Sequence, residues 1–501
     1  MHNHYFSNQK KRSGLGFTLI EVMVVIAVIA ILAALTYILY ANVSNKARSQ
    51  SLQTDLIKDG VLLERYHNTN NTYPDSVSDA GISTTSDPNY RFSYIPGTST
   101  YCLGIEGYGV SYFLTDTIAK PTDGRCWGPN IAASNSHGCA VSAYQDIYCW
   151  GYNDTGQVGD GTTINSLEPK LVSTGGVLSG RVTDVDVGSH FTCAVAGGQA
   201  YCWGQNSTFG VLGNNSTATS LVPVPVSTSG VLAGKTVTDI AINSHACALA
   251  SGQVYCWGPN NSGQLGNGTT SAYSRVPVAT VGPLVGQTVT NVSVGSSYAC
   301  AVAGGQAYCW GLDTNGQLGD GGSSYSSTPV AVNTSGVLNG QTVTAISAGT
   351  THTCAVAGGK AYCWGQNPYG ELGNGTTSDS SVPVAVTASG ALNGKFVTDI
   401  SAGGNHTCAI ASGQVYCWGL NSYGQLGNNS VTNSSVPVAV STSGLLSNKT
   451  VSSVSAGTSN TCALAANQAF CWGGNSLGQL GNNTTDTSYV PVQVLTGNDH
   501  P

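Results

Sequence analysis

The sequence predicts a mainly β protein: a seven-bladed β-propeller at the C-terminal side, preceded by a long N-terminal α-helix and a small antiparallel sheet. Three observations predict it. A segment of about 54 residues recurs seven times from residue 128 onward, its first cysteines at Cys139, Cys193, Cys247, Cys300, Cys354, Cys408 and Cys462, in steps of 54, 54, 53, 54, 54 and 54. Each copy holds two short alternating runs around a tight-turn pair, without helical periodicity. Ahead of the copies stands an apolar run from Phe17 to Tyr40 that is too long for a strand. A period this regular is one supersecondary unit repeated, and seven such units can close into a ring.

The N-terminal run contains one charged residue, Glu21, and follows Lys10, Lys11 and Arg12. At 1.5 Å per residue it makes a helix of about 36 Å, enough to span a bilayer. The basic residues ahead of it place the N-terminus in the cytoplasm. A cleaved secretory signal would have a shorter apolar core with a small-residue site behind it, whereas here Gly16 precedes the run. The stretch GFTLIE resembles the class III signal of type IV prepilins and pseudopilins. That resemblance implies a leader peptide over 1–16, cleavage between Gly16 and Phe17 by a prepilin peptidase, N-methylation of Phe17, and an assembly role for Glu21. A lone carboxylate in an apolar helix needs a partner, and a neighbouring subunit's cationic N-terminus supplies one. Other pilin subunits and an inner-membrane assembly platform are then the implied partners.

On this reading residues 17–127 are a pilin-like domain, with a transmembrane and assembly helix over 17–40. An amphipathic continuation runs to about residue 70, before Tyr73-Pro74, and a small sheet lies within 88–127, with strands expected over 91–95, 101–105 and 110–114. Pilins often staple their C-terminal loop with a disulfide, so the resemblance implies Cys102 with Cys126. Some pseudopilins bind calcium, for which Asp75, Asp79 and Asp87 would be the candidates; no metal is expected.

In residues 128–501 the second copy shows the unit. Val182 to Val187 alternates, then Phe191 to Ala196, the Gly197-Gly198 turn, and Gln199 to Trp203, a β-hairpin with a primed turn. Counting outward from the turn sets Cys193 opposite Cys202, at a non-hydrogen-bonded site within bridging range. The same centring sets Cys247 opposite Cys256, Cys300 opposite Cys309, Cys354 opposite Cys363, Cys408 opposite Cys417 and Cys462 opposite Cys471; Cys139 and Cys149 enclose one residue more. Seven cross-strand disulfides are expected, each contributing roughly 2.5–3 kcal/mol on the chain-entropy estimate. Reduced, buried thiols are the alternative, and a metal would need four converging ligands where each hairpin offers two. The tryptophan after each second cysteine (Trp150, Trp203, Trp257, Trp310, Trp364, Trp418, Trp472) falls on the opposite blade face, where blade stacking buries it as core. A fourth run such as Val382 to Val386 completes four strands per unit.

Copies such as SAGTTHTCAVAGGKAYCWGQNPYGELGNGTT resemble the regulator of chromosome condensation family, which are seven-bladed propellers with one such unit per blade. Relatives include a nucleotide-exchange factor for a small GTPase and a secreted bacterial inhibitor of β-lactamases. The cysteine pairs depart from the nuclear pattern.

Composition narrows the function. Charged residues make up 8% of the chain, with 17 Lys+Arg against 24 Asp+Glu and no basic run after residue 12, so no positive stripe exists for nucleic acid. Sixteen cysteines fit an oxidising location outside the membrane. No nucleophile motif, phosphate loop or zinc signature appears, so no enzyme and no cofactor is expected. His137, His245, His352 and His406 stand two residues before a first cysteine, a slot that other copies fill with Phe191, Tyr298 or Asn460, which reads as packing. Asp184, Asp239 and Asp399 recur at one position and read as solvated strand-entry residues. If the propeller binds a ligand, the candidates are Tyr152, Phe209, Tyr325, Tyr369 and Tyr423, aromatics in Gly/Asn-rich turns.

The expected function is a minor type IV pilin displaying the disulfide-stapled propeller as an adhesion module at the pilus tip, toward an extracellular protein or glycan. A precursor spanning the cell membrane once would precede display at the surface. The alternatives are a pseudopilin of a type II secretion or DNA-uptake machine, and a surface-tethered protein inhibitor.

Overall fold

A computed structural model describes residues 46–47, 49–82, 90–96, 101–107, 110–115, 118–123, 126–173, 177–178, 181–207 and 209–495. The expected membrane helix, with Gly16, Phe17 and Glu21, lies outside the described residues, as does Asp87. Among the described residues no helix is long and apolar enough to cross a membrane. Residues 1–55 and 56–501 are two compact units.

A helix over residues 49–70 carries Leu56 and Leu63 on its buried face, seven residues apart as two helical turns require. It stops where Asn71 takes a left-handed φ of 57° and Pro74 follows. Tyr73 then folds back, stacking on His67 at 4.3 Å and donating its hydroxyl to Glu64 Oε1 at 3.0 Å.

Four antiparallel strands follow in sequence order: β1 (Tyr90–Pro96), β2 (Tyr101–Gly107), β3 (Val110–Thr115) and β4 (Ile118–Asp123). The fourth was not expected, because IAKPTD lacks alternation; its proline is tolerated at a sheet edge. The Cys102–Cys126 bridge ties β2 to the start of the propeller, packed with Phe113 and Ala143.

The propeller begins at Trp127, one residue before the expected boundary, since Trp127–Ala133 forms the inner strand of blade 1. Each of the seven blades is a four-stranded antiparallel meander of consecutive strands. Blade 2 is representative, with inner strand Val182–Val187, second strand Phe191–Ala196, third strand Gln199–Gly204 and outer strand Ser220–Pro225. Its hairpin register pairs Ala196 with Gln199 and Cys193 with Cys202, turning on Gly197 and Gly198 at φ 56° and 77°. The seven hairpin cysteine pairs are bonded, with Cα atoms 4.0–4.1 Å apart.

Blade stacking uses the two faces that alternation creates. The disulfide face of blade 2, with Val195 and Ala200, packs on Ala246, Ala248, Tyr255 and Trp257 of blade 3. Each repeat tryptophan is fully buried and donates its indole N–H to a loop carbonyl of the preceding blade: Trp203 to Gln157 O at 3.0 Å, Trp364 to Gln317 O at 2.9 Å, Trp418 to Glu371 O at 2.7 Å.

The ring closes without exchanging a strand. Blade 7 presents Cys462, Cys471 and Leu464 to Trp127, Tyr148 and Trp150 of blade 1. Trp150 Nε1 donates to Gln479 O at 2.9 Å, Trp127 N to Asn467 O at 2.9 Å, and Ala133 N to Ser455 Oγ at 3.0 Å. Closure therefore repeats the ordinary blade contact, across 329 residues of sequence in the tryptophan bond.

Candidate binding face

Chain direction gives the disc two chemically different faces. Inner strands end, and third strands end, on one side, which carries the short inner-to-second bends and the long loops into the outer strands. This is the loop face. The opposite side, the hairpin face, carries the tight turns between second and third strands and the connections from blade to blade.

The five candidate aromatics all fall on the loop face, on blades 1, 2, 4, 5 and 6. The structure separates them into kinds. Phe209, Tyr369 and Tyr423 occupy one position, before the repeated turn glycine, and blade 7 puts Leu477 there. The backbone N–H of Tyr369 donates to Glu371 Oε2 at 2.9 Å and that of Tyr423 to Gln425 Oε1 at 3.0 Å, so the loop is pinned while the ring projects, 40% and 53% exposed. Phe209 leans edge-on against Tyr273 at 6.3 Å. Tyr152 donates to Asp154 Oδ2 at 2.8 Å, a bond that raises its phenol. Tyr325 is 60% exposed, on the approach to its outer strand.

One aromatic borders a cavity. Tyr423 and Leu477 flank a cleft of about 380 Å3, whose other walls include Asn135, Asn405, Ser459 and Gln479. The lining is amide, hydroxyl and apolar, without a charged group. Such a surface offers amide and hydroxyl donors and acceptors beside an aromatic ring.

The loops under this face are built on a buried Asn. Asn367 Oδ1 accepts from Leu372 N at 2.9 Å while its Nδ2 donates to Thr376 O at 3.1 Å and Ser378 O at 3.0 Å; Asn153, Asn421 and Asn475 do likewise. The histidine slot is interior. His137, His352 and His406 are fully buried, their Nε2 atoms 2.8, 2.9 and 2.8 Å from Thr192, Thr407 and Thr461 of the next blade. Burial lowers their pKa to about 3, 4 and 3, so they stay neutral and serve packing.

The axis corrects one expectation. Asp184, Asp239 and Asp399 are not solvated strand-entry residues; they stand half-buried on the inner strands, and burial raises all three carboxyls, with Asp239 pushing Asp184 further. Asp184 Oδ2 accepts from Ile240 N at 3.0 Å and Asp186 Oδ2 from Ile242 N at 2.7 Å, both on the next blade. Asn291, Ser293, Ser347 and Ser401 repeat this reach at 2.9 Å, each to the following blade. The alternating polar residues of VTDVDV were legible in sequence, but nothing local showed that they bond across blades. At the mouth of the axis Gly403 has no room for a side chain, since a Cβ there would run into Gly457 O, while blades 1 and 3 place Ser134 and Asn243 at the equivalent position. Among the described residues no three His, Cys, Asp or Glu side chains converge to hold a metal; Asp79 instead accepts from Ser76 N and Oγ at 3.2 and 2.8 Å.

Comparison with known proteins matches residues 231–500 to the RCC1-like domain and residues 146–195 to the regulator of chromosome condensation (RCC1) repeat. Residues 11–37 match the prokaryotic N-terminal methylation motif. The ultraviolet-B receptor UVR8 of Arabidopsis thaliana is 32% identical over 360 residues, 70% of this chain and 78% of that protein. The human E3 ubiquitin-protein ligase HERC2 is 32% identical over 287 residues, 56% of this chain but 6% of that much longer protein. Among solved structures, human WBSCR16 superposes with a TM-score of 0.60 at 23% identity, covering 70% of this chain and 93% of that one. A chain of the Kap60 complex with yeast RCC1 (Prp20) gives 0.58 at 20% identity, covering 72% and 84%. These two likenesses speak to the fold alone.

Proposed function

The chain belongs to the RCC1-like propeller family, and from that premise, joined to its N-terminal methylation motif, we propose that it is a minor type IV pilin whose propeller is a binding module, not an enzyme, displayed at the pilus tip as an adhesin. A membrane-anchored precursor, processed at Gly16 and Phe17 and assembled through Glu21, would carry the disc outside the cell.

The observation that carries this reading is the side on which the chain enters. Cys126 O accepts from Ala143 N at 2.9 Å, Trp127 N donates to Asn467 O at 2.9 Å, and Ala143 packs against Phe113 and the Cys102–Cys126 bridge. Ala143 and Asn467 belong to the hairpin turns of blades 1 and 7. The pilin-like sheet thus attaches on the hairpin face, and the loop face, with its aromatics and neutral cleft, points away from the attachment. A disc of seven wedges is also too wide to repeat at every subunit of a thin filament, which favours the tip.

The test is binding of the full-length protein to arrayed glycans and to intact cells, with Tyr423→Ala and Leu477→Ala as comparisons. The expected outcome is a ligand lost roughly tenfold or more on truncating Tyr423, the loss of a central aromatic anchor. Immunogold labelling confined to fibre ends supports the tip, and uniform labelling along the shaft defeats it.

A further inference from the structure

Charge is segregated between the two faces, although charged residues are scarce. The loop face carries Asp154, Asp160, Asp320, Asp379 and Asp486, with Arg275 beside them. The hairpin face carries Arg181, Lys235, Lys360, Lys395 and Lys449; among the described residues the acid in its turns and connections is Asp146. Three of the five cations, Lys235, Lys395 and Lys449, fill one place in the repeat, two residues before an inner strand, and Arg181 stands one residue before its own. Two of the lysines set their ammonium groups over tyrosine rings, Lys235 Nζ 5.7 Å from the Tyr255 centroid and Lys395 Nζ 5.6 Å from that of Tyr416, and both side chains are half-buried. Exposed apolar side chains stand on the connections of this face: Val177, Val231, Phe396 and Leu445 share theirs with a cation, while Val285 and Val337 lie on connections without one; Val285 is 62% and Phe396 64% exposed. Phe396 directly follows Lys395.

We infer that the hairpin face docks on an anionic phospholipid surface. Cations alone would suit any polyanion. Protruding aliphatic and aromatic tips between them suit an interface whose headgroups are charged and whose boundary with the acyl chains is apolar. The attachment of the chain points the same way, because the segment reading as membrane-inserted, residues 17–40, reaches the propeller through Cys126 and Trp127 at this face. Before assembly the disc then rests on the bilayer that anchors it, loop face outward. The docking is electrostatic enough to be released when the subunit is drawn into a fibre.

The experiment uses the full-length chain reconstituted into phosphatidylcholine vesicles with and without phosphatidylglycerol, both carrying brominated acyl chains that quench tryptophan on contact. The repeat tryptophans are fully buried and report nothing of the lipid, so Phe396→Trp adds an indole at the hairpin face and Tyr325→Trp one at the loop face. The expected result is quenching at position 396 in anionic vesicles only, none at 325, and relief by salt. Each of Lys235→Gln, Lys395→Gln and Lys449→Gln should lower the docked-to-undocked ratio about five-fold, with unchanged native emission and no free thiol. Equal quenching at 325 and 396, quenching as strong in neutral lipid, or none at all overturns the inference. Binding of soluble dextran sulfate that the Gln variants abolish, without quenching in vesicles, assigns the face to a polyanionic glycan and overturns it too.

Discussion

The seams between blades and the lining of the axis join the same neighbours by different physics. At the seam of blades 2 and 3 the contact is apolar and repeats in kind around the ring: a disulfide, Val195 and Ala200 against Trp257 and two alanines. At the axis the same blades meet through Asp184 and Asp186, which accept backbone N–H groups of Ile240 and Ile242. Three and four blades farther on, the donors that correspond to Ile242 N–H meet Ser347 and Ser401 instead. Apolar burial is non-directional and tolerates only a filled volume, so the seam keeps one solution. An inner strand has a free sheet edge whose N–H groups need an acceptor, and a carboxylate, an amide or a hydroxyl serves equally.

The largest break in this comparison comes at a seam. Trp418→Ala removes a fully buried indole bonded to Glu371 O and is expected to cost about 3–5 kcal/mol, read from denaturant unfolding of the oxidised chain. Next is the bridge beside it. The double substitution Cys408→Ser and Cys417→Ser is expected to lower stability by roughly 2.5–3 kcal/mol, with reductant abolishing the difference from the parent protein. A thiol titration finding those sulfurs free in native protein would remove this term from the seam.

The axis and the seam respond to pH with opposite signs. The buried seam histidines His137, His352 and His406, held neutral, lose their contribution as pH falls from 6.5 toward about 3–4, whereas the axis carboxyls lose theirs as pH rises. Burial raises the Asp186 carboxyl from 3.8 to about 7, so the folded state holds this proton more tightly than the unfolded one. Its stability contribution is present below about pH 4 and is lost as pH rises toward 7, by an amount on the order of 2 kcal/mol once partial exposure is discounted. The difference between Asp186→Asn and the parent protein isolates this carboxyl: across pH 4 to 7 the parent should lose stability relative to the variant, while the buried histidines, common to both, cancel. The smallest effect is Ser401→Ala, which strands Ala456 N–H at the axis for about 1 kcal/mol. A cost equal to that of Trp418→Ala would show that axis and seam are equally structural.

The loop face and hairpin face were only half legible. That Tyr369 and Tyr423 sit in variable turns was visible from the repeat, and the structure places them on one face with Phe209. Leu477 was missed because leucine in a turn reads as core; its alignment with Tyr423 was the available signal. The shared place of Lys235, Lys395 and Lys449 in three repeats was also within reach, but scattered single lysines carry no signal until a fold sets them on one face.

What the chain determined by itself is whatever its period encodes locally: seven blades, hairpins centred on Gly197-Gly198 and its equivalents, Cys193 opposite Cys202, and tryptophan on the face away from the bridge. Such features follow from pleat and turn geometry over about ten residues, which sequence spacing states directly. The tertiary structure alone decided that the ring closes by an ordinary seam, that Asp184 reaches Ile240, and that acids and lysines part to opposite faces. Those outcomes depend on the angle and distance between whole sheets, a geometry that exists only once seven blades are packed around one axis.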